Sequence, residues 1–178
     1  MGNFTVVSLG RFISQDSFPL ILDTYQRFLK DLTPKYKRKT EFYVLDKYEF
    51  LEGSMLLIEK FNLQNHIQLV STSEQDRVIE IYKNSSLLFL PVKKEIGHII
   101  AEAYSFSLPI ITYDNFGNEE YVDQTCGMLH SYESDAKAIE AFKDKLKLLI
   151  FDPDALAFLN KGAKNKHNKE LSWGRATG

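Results

Sequence analysis

The chain has 178 residues, 44% of them hydrophobic, with 22 lysines and arginines against 24 aspartates and glutamates and a formal net charge of −2. That is enough for one ordinary globular domain with a sizeable core, and the near-neutral balance offers nothing to a nucleic acid or an anionic membrane surface. The one cysteine, Cys126, rules out an internal disulfide and points to a reducing cytoplasm, while no apolar run reaches the length of a membrane span and no signal-peptide pattern opens the chain.

Thr5 to Leu9 reads as a first strand that begins almost at the chain start, which suggests a fragment cut at a domain boundary, or else a short natural protein. Gly10-Arg11 ends it. Ile21, Leu22, Tyr25, Phe28, Leu29 and Leu32 mark one helical face. Pro34 and the run Lys35 to Lys39 read as an exposed connection. Glu41 to Leu45 is a second strand, Met55, Leu56, Ile58 and Phe61 a second helix, and Ile67 to Val70 a third strand. Ser73, with Asp76 three residues on, is a capping-box candidate for a helix through Val78, Ile81 and Tyr82. Leu87 to Leu90, Ile110 to Tyr113 and Met128 to His130 read as strands four to six. Asp135 to Ile150 is an amphipathic helix, and Pro153 opens a last one through Leu156 and Leu159. The tail from Lys161 to Lys169 is polar and basic. The alternation argues for an α/β, Rossmann-like three-layer domain over residues 1–178, with a parallel sheet of about six strands and helices on both faces. No repeat, low-complexity tract or linker divides it.

Candidate chemistry gathers in Leu87 to Val122. Pro91 stops the fourth strand, a loop with Lys93, Lys94 and Glu95 follows, and Ile99, Ile100, Ala103 and Phe106 then recur at helical spacing. The loop lies at the carboxyl end of a strand, where open parallel sheets bind ligands. The helix start near Gly97 offers unpaired N–H groups and a positive dipole end, which suit a phosphate.

With Gly97, Glu102, Ala103, Leu108 and Pro109, then Gly117, Glu120 and Val122, this stretch resembles the donor-binding motif of the group 1 (family four) retaining glycosyltransferases of GT-B fold. Leu9-Gly10-Arg11 and Ser172-Trp173 resemble the opening and close of that family's carboxy-terminal domain, and Asp123 and Gly127 match the ends of its Asp-Gly-x-x-Gly turn. The resemblance implies one half of a GT-B fold. It implies that the amino-terminal acceptor domain of a parent chain is absent here, as is the final helix that crosses back to it. An exposed apolar patch beside the donor cleft is then expected.

The resemblance also implies roles. Gly10 and Arg11 stand where the family clamps the donor diphosphate, with Arg11 stabilising the leaving charge. The family's lysine five residues on is Asp16 in this chain, so Lys93 or Lys94 from the opposite loop would supply that charge. Glu102 matches the glutamate that holds the ribose, a carboxylate being able to accept from two adjacent hydroxyls. The earlier glutamate, at the donor sugar, falls on Lys94 in strict register and on Glu95 if the loop shifts by one. Glu95 and Arg11 are therefore the catalytic candidates. Backbone N–H groups of Gly97, His98 and Ile99 would face the phosphates, Glu120 would cap or orient a short helix near the donor, and the base would lie near Val70 and Ser71. The family's Gly-x-Gly-Pro element after the second strand is replaced by Asp46-Lys47-Tyr48-Glu49. No metal is expected, since His66, His130 and His167 are scattered without ligand spacing. Nor is a cofactor, beyond a nucleotide sugar such as a UDP- or GDP-sugar as substrate. Cys126 reads as a small hydrophobe near the surface.

The resulting expectation is cytoplasmic, retaining hexosyl transfer to a glycan or lipid-linked acceptor in surface polysaccharide biosynthesis. The chain alone would be inactive, and any peripheral membrane association would come through the parent protein. Asp16 and Lys94 motivate the alternative, a degenerate domain kept as a non-catalytic binding or assembly module. A dinucleotide site is disfavoured because no G-x-G-x-x-G pattern occurs.

Overall fold

A computed structural model describes residues 2–177, with side chains described to residue 170. Strands β1 (Phe4–Leu9), β2 (Thr40–Asp46), β3 (Ile67–Ser71), β4 (Leu87–Phe89), β5 (Ile110–Tyr113) and β6 (Gly127–His130) form one sheet in the order β3-β2-β1-β4-β5-β6. All five pairings are parallel. The helices are α1 (Ser17–Lys30), α2 (Pro34–Lys39), α3 (Leu51–Lys60), α4 (Gln75–Asn84), α5 (Gly97–Ser105), α6 (Asp135–Phe151) and α7 (Pro153–Thr177), and Tyr48–Phe50 and Asn118–Glu120 are short 3₁₀ turns. This is the expected Rossmann-like three-layer domain.

Alternate residues of each strand feed two cores. Phe4, Val6, Phe42, Val44, Leu87 and Phe89 pack with α1 and α6 on one face. Val7, Leu9, Leu45, Val70, Leu88 and Leu90 pack with α4 and α5 on the other. Burial on both faces is why the central strands β1, β4 and β5 are mostly apolar along their whole length. Thr5 and Ser8 are the polar residues of β1, and Ser8 is the more deeply buried. Its hydroxyl donates to the Phe89 carbonyl at 2.7 Å and takes the Tyr25 hydroxyl in turn, so neither buried group is left unpaired.

Four local expectations are corrected. Lys35 to Lys39 is helical, in α2, with Pro34 opening the first turn and no residue buried. The capping box does not form, because the Ser73 hydroxyl pairs with that of Ser71 at 2.7 Å and α4 starts only at Gln75. Cys126 is fully buried rather than near the surface, 3.1 Å from the Tyr104 hydroxyl. The last helix runs on through Lys161 to Lys169. Asn160 ties it to the carbonyls of Ser86 and Ser107, and a side chain at Gly162 would meet the Thr125 carbonyl at 1.7 Å. The Ser172-Trp173 side chains lie outside the described residues. Among the described residues, no helix is long and apolar enough to cross a membrane.

The order of strands places β1 beside β4, with Val6 opposite Leu87 and Val7 opposite Leu88. The chain leaves β1 for α1 on one face and leaves β4 for α5 on the other. A crevice therefore opens between the two following loops.

Candidate functional site

The loop after β1 is held by a buried carboxylate. Asp46, fully buried at the end of β2, accepts from the N–H groups of Arg11 (3.0 Å), Phe12 (3.1 Å) and Lys47 (3.0 Å) and from the Ser54 hydroxyl (2.6 Å). Gly10 lies so close that a Cβ there would meet Asp46 Oδ2 at 2.3 Å. The residue that reads in the sequence as part of a missing glycine element thus anchors the crevice wall. Arg11 turns toward α3. Its guanidinium lies over the Phe50 ring, 5.6 Å from the centroid, in the space that Gly53 leaves open.

The loop after β4 is held by a buried amide. Asn118 is fully buried, accepts from the Ile96 N–H at 2.8 Å and donates to the Lys94 carbonyl at 2.9 Å. Gly117, at φ +93°, supplies the left-handed turn that points Asn118 inward. This corrects the expectation for Glu120. It ends the short 3₁₀ turn as an exposed side chain, and Asn118 does the positioning.

The phosphate-facing N–H groups are also different from expectation. The Gly97 N–H donates to the carboxylate of Glu95 at 2.6 Å, and the Ile99 N–H donates to the Ile96 carbonyl at 3.0 Å. The His98 N–H alone of the three has no partner among the described residues. The Tyr121 ring lies beside the Glu95 carboxylate, next to Gly97, and that carboxylate raises the phenol above its usual range. Glu95 therefore sits on the α5 amino terminus instead of pointing freely into the crevice.

Lys94 reaches the loop after β1, whereas Lys93 turns to the start of α6. Lys94 Nζ donates to the Ile13 carbonyl. Lys93 Nζ lies 3.9 Å over the Tyr132 ring and 3.8 Å from Asp135. Contact with Tyr132, then the charges of Asp135 and Asp16, hold its ammonium pKa above the usual value. Both lysines share a cleft of about 360 Å³ with Asp16.

On the α4–α5 side lies a second cleft, of about 420 Å³. Phe12, Val78, Ile79 and Tyr82 give it apolar walls, Thr72 and Gln75 polar points, and His98, Ile99 and Glu102 the edge toward α5. Glu102 is exposed there, close enough for its charge to add to burial in raising the Tyr82 phenol. Val70 is fully buried beneath this wall, so Thr72 and Gln75 take the place expected of Val70 and Ser71. Ile79, 41% exposed, borders the cleft and Tyr48, 80% exposed, follows β2; these are the large apolar groups left open on this side. Two larger hollows, of about 460 and 540 Å³, run along α7 and beside β6. They lack the convergent loop ends and the open helix N–H, so chemistry rather than size selects the crevice.

Asp46 and Asn118 escaped the sequence reading because each acts on backbone groups far away in the chain. Glu102, His98 and Ile99 are brought together as expected, and so are Lys93, Lys94 and Asp16.

A family model described as glycosyl transferases group 1 matches residues 1–166. Among solved structures, the C-terminal domain of the glycosyl transferase group 1 family protein LpcC from Francisella tularensis superposes with a TM-score of 0.74 at 16% identity, covering 96% of this chain and 87% of that one. WaaG, a glycosyltransferase involved in lipopolysaccharide biosynthesis, gives 0.66 at 20% identity, covering 93% of this chain and 43% of that one. The pneumococcal O-GlcNAc transferase GtfA, in complex with UDP and GlcNAc, gives 0.69 at 18% identity, covering 98% and 36%. The chain thus spans most of an isolated carboxy-terminal domain and less than half of the longer proteins. No curated protein sequence matches it significantly.

Proposed function

The chain belongs to the group 1 glycosyl transferases, and from that premise we propose that it is the donor-binding half of such an enzyme, taking a nucleoside diphosphate sugar. The observation that carries the reading is the 420 Å³ cleft, where an apolar wall, the Glu102 carboxylate and the α5 amino terminus converge. The base stacks against Phe12, Val78 and Ile79, with Thr72 and Gln75 as its polar contacts. Glu102 accepts from the ribose hydroxyls. The diphosphate bridges from the open His98 N–H toward Lys94, with Arg11 swinging in from α3 and Gly10 letting Asp46 pack against the loop that carries it.

For a phosphate to take the Gly97 N–H, Glu95 has to leave it. The released carboxylate is then beside the sugar and free to accept from its hydroxyls. The lysines, Arg11 and the helix N–H groups offset the charge that grows on the leaving diphosphate, so this reading needs no metal. The reaction is retaining transfer of a hexosyl unit to a glycan or lipid-linked acceptor in the cytoplasm. The likeness to WaaG supports surface polysaccharide synthesis as its setting. The acceptor sits on an amino-terminal domain of the parent protein, which also carries any peripheral membrane contact, so this chain binds the donor without turning it over.

A titration with UDP, GDP and ADP by ligand-observed NMR tests this. UDP comes first, because GtfA was solved with it. Half a cleft binds weakly, at about millimolar Kd or −4 kcal/mol. Saturable binding of one diphosphate, about tenfold weaker in Glu102→Ala, is expected. A folded chain that binds none of the three favours the second reading, a non-catalytic module. Glu95 on the Gly97 N–H and Asp16 in place of a lysine are the observations behind that alternative.

A further inference from the structure

The cleft on the α1 side of the crevice holds a group that nucleotide binding leaves unexplained. Tyr113 ends β5 with its ring fully buried between Phe116, Tyr132 and Phe142. Its hydroxyl is buried and has no hydrogen-bond partner among the described residues. Burial raises its phenol pKa, and the charge of Asp135 adds to the rise. Asp135 and Tyr113 line the same cleft of about 360 Å³, together with Ser14, Asp16, Lys93 and Lys94. An unpaired buried hydroxyl is unfavourable, and phenylalanine would fill the same space without that cost. A hydroxyl kept at the floor of a polar cleft therefore points to an occupant that completes it.

The charges of the cleft define what that occupant is. Lys93 and Lys94 stand against Asp16 and Asp135, so the lining is balanced. A phosphate entering it meets two carboxylates. A neutral group with several hydroxyls finds acceptors in those carboxylates and donors in the ammonium groups and hydroxyls. The volume lies at the small end of the range for ligand sites.

We propose that this cleft is a sugar-hydroxyl subsite, in which Tyr113 and Asp16 hydrogen-bond neighbouring hydroxyls of a hexose. Asp16 then has a positive role, recognising the sugar, where the family's lysine would face phosphate. The inference rests on the donor-domain reading above. The hexose is either the donor's own hexosyl unit or a sugar of the acceptor.

The test is a backbone-amide NMR titration of the whole chain with three probes: the nucleoside diphosphate that binds, the same nucleotide carrying glucose or N-acetylglucosamine, and each free hexose at high concentration. Amides of Thr72, Gln75 and Glu102 shift with either nucleotide form. Amides of Ser14, Lys93 and Asp114 shift only when the hexosyl unit is attached, if the donor sugar is the occupant. They shift with free hexose alone if it belongs to the acceptor. Tyr113→Phe, which folds as well as the parent, moves the second set to about fivefold higher concentration of the hexose-bearing or free-hexose probe and leaves the response of the first set to the bare nucleotide unchanged. Hexose-bearing and free-hexose probes that both leave Ser14 and Lys93 unmoved overturn the proposal, as does a Tyr113→Phe chain that binds them unchanged. If no nucleotide moves Thr72, Gln75 or Glu102, the donor-domain reading fails by itself, and the free-hexose arm alone decides this one.

Discussion

Replacing Glu95 should move stability and ligand affinity in opposite directions. Its carboxylate accepts from the Gly97 N–H at 2.6 Å and so caps α5. Loss of a helix cap costs about 0.5–2 kcal/mol. Glu95 is exposed, so water and salt screen the bond and the low end applies. Glu95→Ala should therefore lose about 0.5–1 kcal/mol, a fall in Tm of about 1–4 °C for a chain of this size. The same substitution opens the Gly97 N–H to a phosphate. The nucleoside diphosphate no longer displaces a bonded carboxylate, and its Kd should tighten about two- to fivefold. The nucleotide sugar should gain less, because it loses the carboxylate that accepts from the sugar. Glu95→Gln, which keeps an acceptor without the charge, should fall between. Differential scanning fluorimetry and calorimetric titration at low salt measure both quantities. A Glu95→Ala chain that binds the diphosphate more weakly than the parent would falsify the exchange, and unchanged stability would remove the cap from the argument.

Asp46→Ala should cost about 2–4 kcal/mol, because it strips one acceptor from three backbone N–H groups and the Ser54 hydroxyl. A urea midpoint within error of the parent would mean that the loop after β1 stands without it. Stability should also decline as pH falls below about 6.5. His130 has its folded pKa lowered from 6.5, first by burial and then by Lys145, with Asp114 and Glu133 opposing. The unfolded chain therefore takes up the proton first, so the contribution is present above the unfolded pKa and is lost as pH falls through 6.5 toward the folded value. His130→Phe should flatten the slope of urea stability between pH 7.5 and 5.5, and an unchanged slope would assign it to other groups. Tyr113→Phe should leave the ligand-free chain more stable by about 1 kcal/mol, having removed a buried hydroxyl without a partner. A clear loss of stability would show that an ordered water satisfies that hydroxyl.

Legibility in the sequence followed how locally each feature is determined. The central strands are short, mostly apolar runs buried on both faces, so a run such as Ile110 to Tyr113 stands out without any knowledge of its neighbours. The helices α1 and α6 show their buried stripes in the same way. Helix α2 shows nothing, because none of its six residues is buried and no periodicity is imposed on Pro34 to Lys39. The extension of α7 is equally silent. What holds it is tertiary: Asn160 on two distant carbonyls and Gly162 against Thr125. In the crevice, Glu102 and Gly97 were readable through the spacing of a motif. Asp46 and Asn118 were not, since one polar residue bonded to remote backbone leaves no pattern in its own neighbourhood. Glu95 was readable as part of this loop, but its bond to the Gly97 N–H was not, because sequence spacing does not say whether a carboxylate turns outward or back onto the helix behind it.

Asp16 is the residue on which the two functional readings divide, and the strand order bears on it. Counted along the chain, an aspartate at a diphosphate clamp argues for a degenerate domain. In the sheet, β1 and β4 are neighbours, so the loops that follow them face each other across one crevice. A positive charge missing from the first loop is then available from the second. Lys94 already spans the gap to the Ile13 carbonyl, and Lys93 lies where Asp16 adds to its charge stabilisation. The substitution at Asp16 thus leaves the electrostatic requirement of the leaving group within reach while adding a hydrogen-bond acceptor beside Tyr113.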